Sequence, residues 1–295
     1  MRVRLGINPL TWSNDDLPSL GAENSLETCL REAKAAGFAG VELGHKFPRT
    51  TSELSPILAA HDLALVSGWY SARLLERDAD AEFEAMQPHL ELLAALNCEV
   101  MVVAEVTGCV HGDRRARSSR RPYMPCGGWD RYGERMTRLA ERMRGCGIRL
   151  AYHHHMGTVV QSAEDVDRLM DATGPAVELL LDTGHLAYAG ADPAMLAVRY
   201  ASRIAHVHCK DVRADVLAQA RNRDTSFLDA VLAGVFTVPG DGAIDYRAVL
   251  APLAAAGYRG WLVVEAEQDP EIAHPMTYAT LGYRNLAVLA GEFFA

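Results

Sequence analysis

Eight short apolar runs, each followed by a longer amphipathic stretch, alternate from one end of the chain to the other. That alternation limits the fold more than any other feature. The runs at residues 4–10, 40–43, 64–67, 100–106, 149–153, 177–181, 204–208 and 261–265 read as strands. Stretches at 25–36, 82–96, 129–144, 163–172, 193–201 and 246–256 carry the helical apolar period. Several strands follow a glycine, as in GFAGVEL, GCGIRLAY and GYRGWLVV, where glycine ends a helix cheaply and a buried strand begins. Ser162, followed three residues later by Asp165, predicts a capped helix start.

Strands that alternate with helices build either a doubly wound sheet or a closed barrel. A dinucleotide-binding sheet calls for G-x-G-x-x-G after an early strand, and the sequence has none. Polar residues gather instead where strand after strand stops, the position of the active site in a barrel. The sequence therefore predicts an α/β fold, a single (β/α)₈ TIM barrel over residues 1–295. That length suits one barrel domain. Two longer connections interrupt the pattern. Residues 107–128 carry Arg114, Arg115, Arg117, Arg120 and Arg121, and read as a solvated loop or as a cover over the barrel mouth. Residues 211–242 hold a helix and then VFTVPGDG, and are expected to shape a pocket.

A net charge of −9 argues against nucleic acid as a partner. No apolar run reaches the roughly 20 residues of a spanning helix, so no membrane association is expected. Six cysteines without a C-x-x-C pair, and a start that leads straight into a strand, predict reduced thiols and a cytoplasmic location. Cys209 alone lies in a chemically dense segment.

Residues i and i+2 share one face of a strand. In AYHHHMG this aligns His153 with His155 and sends His154 to the other side. In AHVHCKD it aligns His206, His208 and Lys210, and in VVEAE it aligns Glu265 with Glu267. Asp182 follows the run VELLL, with His185 three residues on. A lone histidine at a strand end is more often a hydrogen-bonded structural residue. Four consecutive strands that end in His, Asp or Glu are better explained by one shared cation. His153, Asp182, His208 and Glu265 are the candidate ligands, with His155 as the alternative on the fifth strand. Imidazole and carboxylate without thiolate suit Mn²⁺, Co²⁺, Fe²⁺ or Zn²⁺. Other strand ends offer Asn8 and Trp12, Glu42 and Lys46, Trp69 and Tyr70, and Glu105. For Glu42 the plain reading is an ion pair inside the barrel; for the tryptophans it is rim packing.

The runs GINPLTWSNDDLPSLG, GVELGHKFPR, AYHHHMGTVVQ, LLLDTGHL, HVHCKDVR, GVFTVPGDG and GWLVVEAEQDP together resemble the myo-inosose-2 dehydratases of the sugar-isomerase-like TIM-barrel superfamily. The likeness spans essentially the whole chain. His45 departs from it, standing where the family has Asn. The resemblance implies loss of water from scyllo-inosose (2-keto-myo-inositol), a cyclitol, to give a trihydroxycyclohexane-1,2-dione during myo-inositol breakdown. It also implies one Mn²⁺ or Co²⁺, and glutathione as a further requirement. His155 and Lys210 would serve as base and acid, with Glu267 and Glu105 as further candidates. Asn8, Trp12, Lys46 and His185 are the expected substrate contacts, and a homo-oligomer is compatible with the family. An isomerase or epimerase acting on a ketose or inosose is the alternative reading, since it shares the metal and the first proton transfer.

Overall fold

A computed structural model describes residues 3–295. The eight barrel strands are Val3–Ile7, Gly40–Leu43, Ala64–Ala72, Val100–Glu105, Arg149–His153, Val177–Asp182, Ile204–Cys209 and Gly260–Val264. Each pairs in parallel with its neighbours in chain order, and the eighth returns to the first to close the barrel. The expected strands are all present, those at 40–43 and 149–153 with the expected bounds and the others with shifted ends. The first stops at Ile7 because Pro9 begins a 3₁₀ turn that Asn8 caps through its side chain. The third runs on to Ala72, where Trp69 and Tyr70 find partners in Val102 and Val103.

Two apolar layers hold the barrel. Inside it, Trp261 fills the lumen beside Val66 and Val263. Gly6 and Gly40 make room for that ring, since a Cβ on Gly40 would lie 2.8 Å from both Trp261 and Val66. Outside, outward side chains of the strands meet the helices in one continuous core. Ser162 and Asp165 form the expected capping box at the start of Ala163–Ala172. Gly37, Gly147 and Gly257 take up the left-handed backbone at helix ends, and Asp62 and Asn97 do the same at two other helix–strand junctions. The helices Thr51–Ala60 and Pro275–Phe293 lay outside the sequence expectation. The first carries Pro56 in its interior, a residue that reads as a helix breaker. Among the described residues no helix is long and apolar enough to cross a membrane.

The two long connections meet over the C-terminal mouth. The second folds into Ala214–Arg223 and Phe227–Leu232, and its ends pair as a short antiparallel ribbon, Asp211–Val212 with Phe236–Thr237. Leu217, Phe227, Val231 and Phe236 build a small separate core above the barrel with Met156 and Tyr188. The arginine-rich loop fastens to this cap. Arg114 pairs with Asp229, Ser119 bonds Asp224, and Ser118 bonds the Thr225 carbonyl. Of the two readings of residues 107–128, the structure supports the cover.

Candidate active site

A cavity of about 730 Å³, counting its open mouth, lies at the C-terminal end of the strands. This is within the size range of small-molecule sites. At its floor His153, Asp182, His208 and Glu265 are buried, and one ligand-type atom from each lies within 4.8 Å of the others. Their wiring leaves one atom of each side chain free to point inward. His153 donates Nδ1–H to the His154 carbonyl at 2.8 Å, so the lone pair sits on Nε2, 3.5 Å from Asp182 Oδ2. Asp182 Oδ1 accepts from the His185 amide and starts the turn Thr183–Tyr188. Its Oδ2 is buried without a hydrogen-bond partner, as is His208 Nδ1. That nitrogen lies 2.7 Å from Glu265 Oε2 and 3.4 Å from Asp182 Oδ2.

Glu42 stands behind this set. Its carboxylate lies 3.1 Å from His208 Nε2 and 2.9 Å from His206 Nε2, and accepts from Ser67 and Asn8. Asn8 also donates to Glu265 at 3.0 Å. An imidazole held by a carboxylate on one nitrogen presents the other as a ligand, the arrangement that orients metal-bound histidines. Charge supports the same reading. Burial alone would lower His208, yet Glu265 and Glu42 outweigh it and raise it well above the usual histidine range. Burial opposes the charge of Asp182 too, but the Lys210 ammonium and nearby imidazoles hold its carboxyl well below its ordinary value. Positive charge is strongly favoured between these groups. Two orphaned buried atoms and a nitrogen–oxygen donor set fit a divalent cation.

Beside that floor lies a second set. Lys210 Nζ reaches Glu265 at 2.7 Å, donates to Glu267 at 2.6 Å, and lies 3.0 Å from His185 Nε2. Its stem packs over Gly184, where a Cβ would come 2.5 Å from the lysine chain. Burial works against its charge, but Glu265, Glu267 and Asp182 raise it further above the normal lysine value. His155 donates Nδ1–H to the Met156 carbonyl, which leaves Nε2 unprotonated. Burial, with the neighbouring imidazoles and Lys210, lowers its pKa well below the usual value. The ring stays neutral. The Trp69 indole packs edge-on against both His153 and His155.

The expected site residues divide into three groups. Asn8, His153, His155, His208, Glu265 and Glu267 line the cavity. Asp182, His185 and Lys210 are fully buried behind it. Trp12 and Lys46 belong elsewhere: the Trp12 indole donates to Glu32, and the Lys46 ammonium is taken up by the carbonyls of Gly21, Ala22 and Asn24. Both line a separate crevice, so the structure does not bring them to the expected substrate position. Glu105 is likewise committed, accepting from the Leu74 and Thr107 amides. Cys209 faces the outer layer, where burial pushes its thiol up. The cavity also gathers Asp15, Asp16, Ser71 and His111, which sequence reasoning did not assign to it. His45 bonds Asp15 through Nδ1 at 2.7 Å, so this departure from the family pattern touches the cavity wall at one remove.

Comparison with known proteins agrees with this architecture. The family model described as "Xylose isomerase-like TIM barrel" matches residues 30–283. The chain is 54% identical over 290 residues to the rhizopine catabolism protein MocC of Rhizobium meliloti, covering 98% of this chain and 89% of that protein. It is 44% identical over 280 residues to an inosose dehydratase of Geobacillus thermodenitrificans, covering 94% of each. Among solved structures, the IOLI protein with a bound zinc atom superposes with a TM-score of 0.66 at 17% identity, covering 99% of this chain and all of that one. That last likeness concerns the fold alone. Matched by the family model over most of its length, and by inosose dehydratases over nearly all of it, the chain belongs to the xylose isomerase-like TIM-barrel family and is a dehydratase, a hydro-lyase.

Proposed function

We propose that the protein dehydrates scyllo-inosose to a trihydroxycyclohexane-1,2-dione in inositol breakdown, with one divalent cation, Mn²⁺ or Co²⁺, held by His153, Asp182, His208 and Glu265. The observation that carries this reading is the pairing of that donor set with a neutral, cavity-facing imidazole at His155. A cation held by these residues would polarise the ketone oxygen and acidify the neighbouring C–H. His155 Nε2 is then the base that takes the α-proton. Lys210 has no access to the cavity, so the acid role expected for it from sequence moves elsewhere. We assign it the positioning of Glu265 and Glu267, whose charges it balances. Glu267 and Asn8 line the cavity that would receive the ring.

The test is incubation of the purified protein with scyllo-inosose and Mn²⁺ or Co²⁺, with and without glutathione, while dione absorbance is followed in the ultraviolet. Dione should form, and His155→Gln should lower the rate about 10²–10⁴-fold. Scrambled stereochemistry without dione would replace this reading with an epimerase. The identity to a rhizopine catabolism protein favours a second reading, in which the chain serves rhizopine breakdown. Offering rhizopine and scyllo-inosose in separate assays distinguishes the two.

A further inference from the structure

Dehydration needs an acid for the departing hydroxyl, and no acid has yet been placed on the substrate side of the cavity. His111 occupies that place. It sits on the loop that covers the mouth, lines the cavity, and packs against His155 with ring centroids 4.9 Å apart. Its backbone is fixed to the turn after the fifth strand. The Val110 amide donates to the Gly157 carbonyl at 2.9 Å, and a Cβ on Gly157 would come 2.8 Å from the His111 nitrogen. Nε2 faces Asp16 Oδ1 at 3.5 Å, longer than a good hydrogen bond, which leaves a donor that a hydroxyl can engage. Nδ1 is buried with no partner in the protein.

The geometry points to His111 as the catalytic acid that protonates the leaving hydroxyl, opposite His155 as base. This rests on the dehydratase reading above. His155 takes the α-hydrogen as a proton. The electron pair of that C–H bond forms the new C=C bond, and the β-carbon–oxygen bond breaks. The departing hydroxyl takes the proton from His111 Nε2 and leaves as water. The enol then tautomerises to the 1,2-dione, so the sum is substrate to dione plus water with no oxidant or reductant. In an all-equatorial inosose the α-hydrogen is axial and the neighbouring hydroxyl equatorial. Such a gauche pair is served by two groups on the same side of the ring, and these two imidazoles meet edge to face at one wall of the cavity. The charge state agrees. Burial opposes protonation of His111, but the Asp16 carboxylate and adjoining Cys109 outweigh it and push it up to about 10.

The experiment compares the metal-loaded wild type with His111→Gln and Asp16→Asn in deuterated buffer, reading dione absorbance and deuterium uptake at the α-carbon of scyllo-inosose. His111→Gln should lower dione formation about 10²–10⁴-fold while α-exchange persists. Asp16→Asn should move the alkaline fall of whatever activity it retains from near 10 down towards the ordinary histidine value, because the charged ring has lost its counter-ion. Equal loss of exchange and dione formation in His111→Gln would show that the residue only binds or orients substrate, and would overturn the assignment. Unchanged turnover would overturn it as well, with the dehydratase reading intact. A wild type that makes no dione would remove both at once.

Discussion

At His208 three carboxylates compete for one imidazole, and the ring's two nitrogens divide between them. Glu42 holds Nε2 from inside the barrel, while Nδ1 is left to face Asp182 and Glu265. Glu42→Gln keeps the shape and removes the charge that fixes this tautomer. It should weaken Mn²⁺ affinity about 10–100-fold, the usual cost of losing a partner behind a metal ligand. Calorimetric titration that gave the wild-type affinity would count against His208 as a ligand. The ligand-type residues were legible because each stands at or just beyond a strand end, where two-residue alternation decides its side. Glu42 was legible only as an ion pair, since its partners lie 164 and 166 positions away. Trp12 and Lys46 misled for a related reason: several residues beyond the last strand residue, alternation no longer dictates where a side chain goes.

The strands and most helices followed from periodicity and from their caps, whereas the loops that complete the cavity did not. Asp15, Asp16 and His111 reach it through the folding of connections whose paths depend on contacts with one another. Asn14 shows the local part of this, capping the amides of Asp16 and Leu17 at 2.9 and 2.8 Å. The cover formed by residues 107–128 is held by unequal ties. Arg114 and Asp229 are about half exposed, and such a pair contributes little, about 0–1 kcal/mol. Arg121 is half-buried, pairs with Asp165 at 2.8 Å, and reaches the carbonyls of Thr158 and Val159. Arg114→Ala should therefore leave urea unfolding and loop proteolysis near wild type. Arg121→Ala should destabilise by about 1–3 kcal/mol, because the Thr158 and Val159 carbonyls lose their donor and Asp165 loses its counter-ion, and should speed nicking within residues 107–128. Equal effects of the two substitutions would mean that the cover is not anchored at Arg121. The same pairings explain why a run of arginines on an acidic protein need not be a nucleic-acid surface.

At the scale of the whole molecule, the groups that bind and the groups that fold occupy different parts of the barrel. Trp261 and its neighbours fill the lumen, and the outer apolar layer wraps it without any of the ionisable cluster. The cluster gathers at the mouth, where Lys210 offsets part of the negative charge of Asp182, Glu265 and Glu267. Two consequences follow for a metal-free sample. The barrel should remain folded after chelation, since its core does not depend on the cation. Its thermal midpoint should then rise with added Mn²⁺, because a ligand that binds only the folded state stabilises by about 2.7 kcal/mol at a hundred times its Kd. The rise should shrink as pH falls, because protons compete with the cation for its ligands. Asp182→Ala should abolish the Mn²⁺ dependence while the chain still unfolds cooperatively. Scanning calorimetry on chelated wild type and variant, at several Mn²⁺ concentrations and two pH values, measures all of this. A chelated wild type that is already unfolded would show that the cation is part of the scaffold. An Asp182→Ala protein that still responds to Mn²⁺ would place the ion at another set of residues.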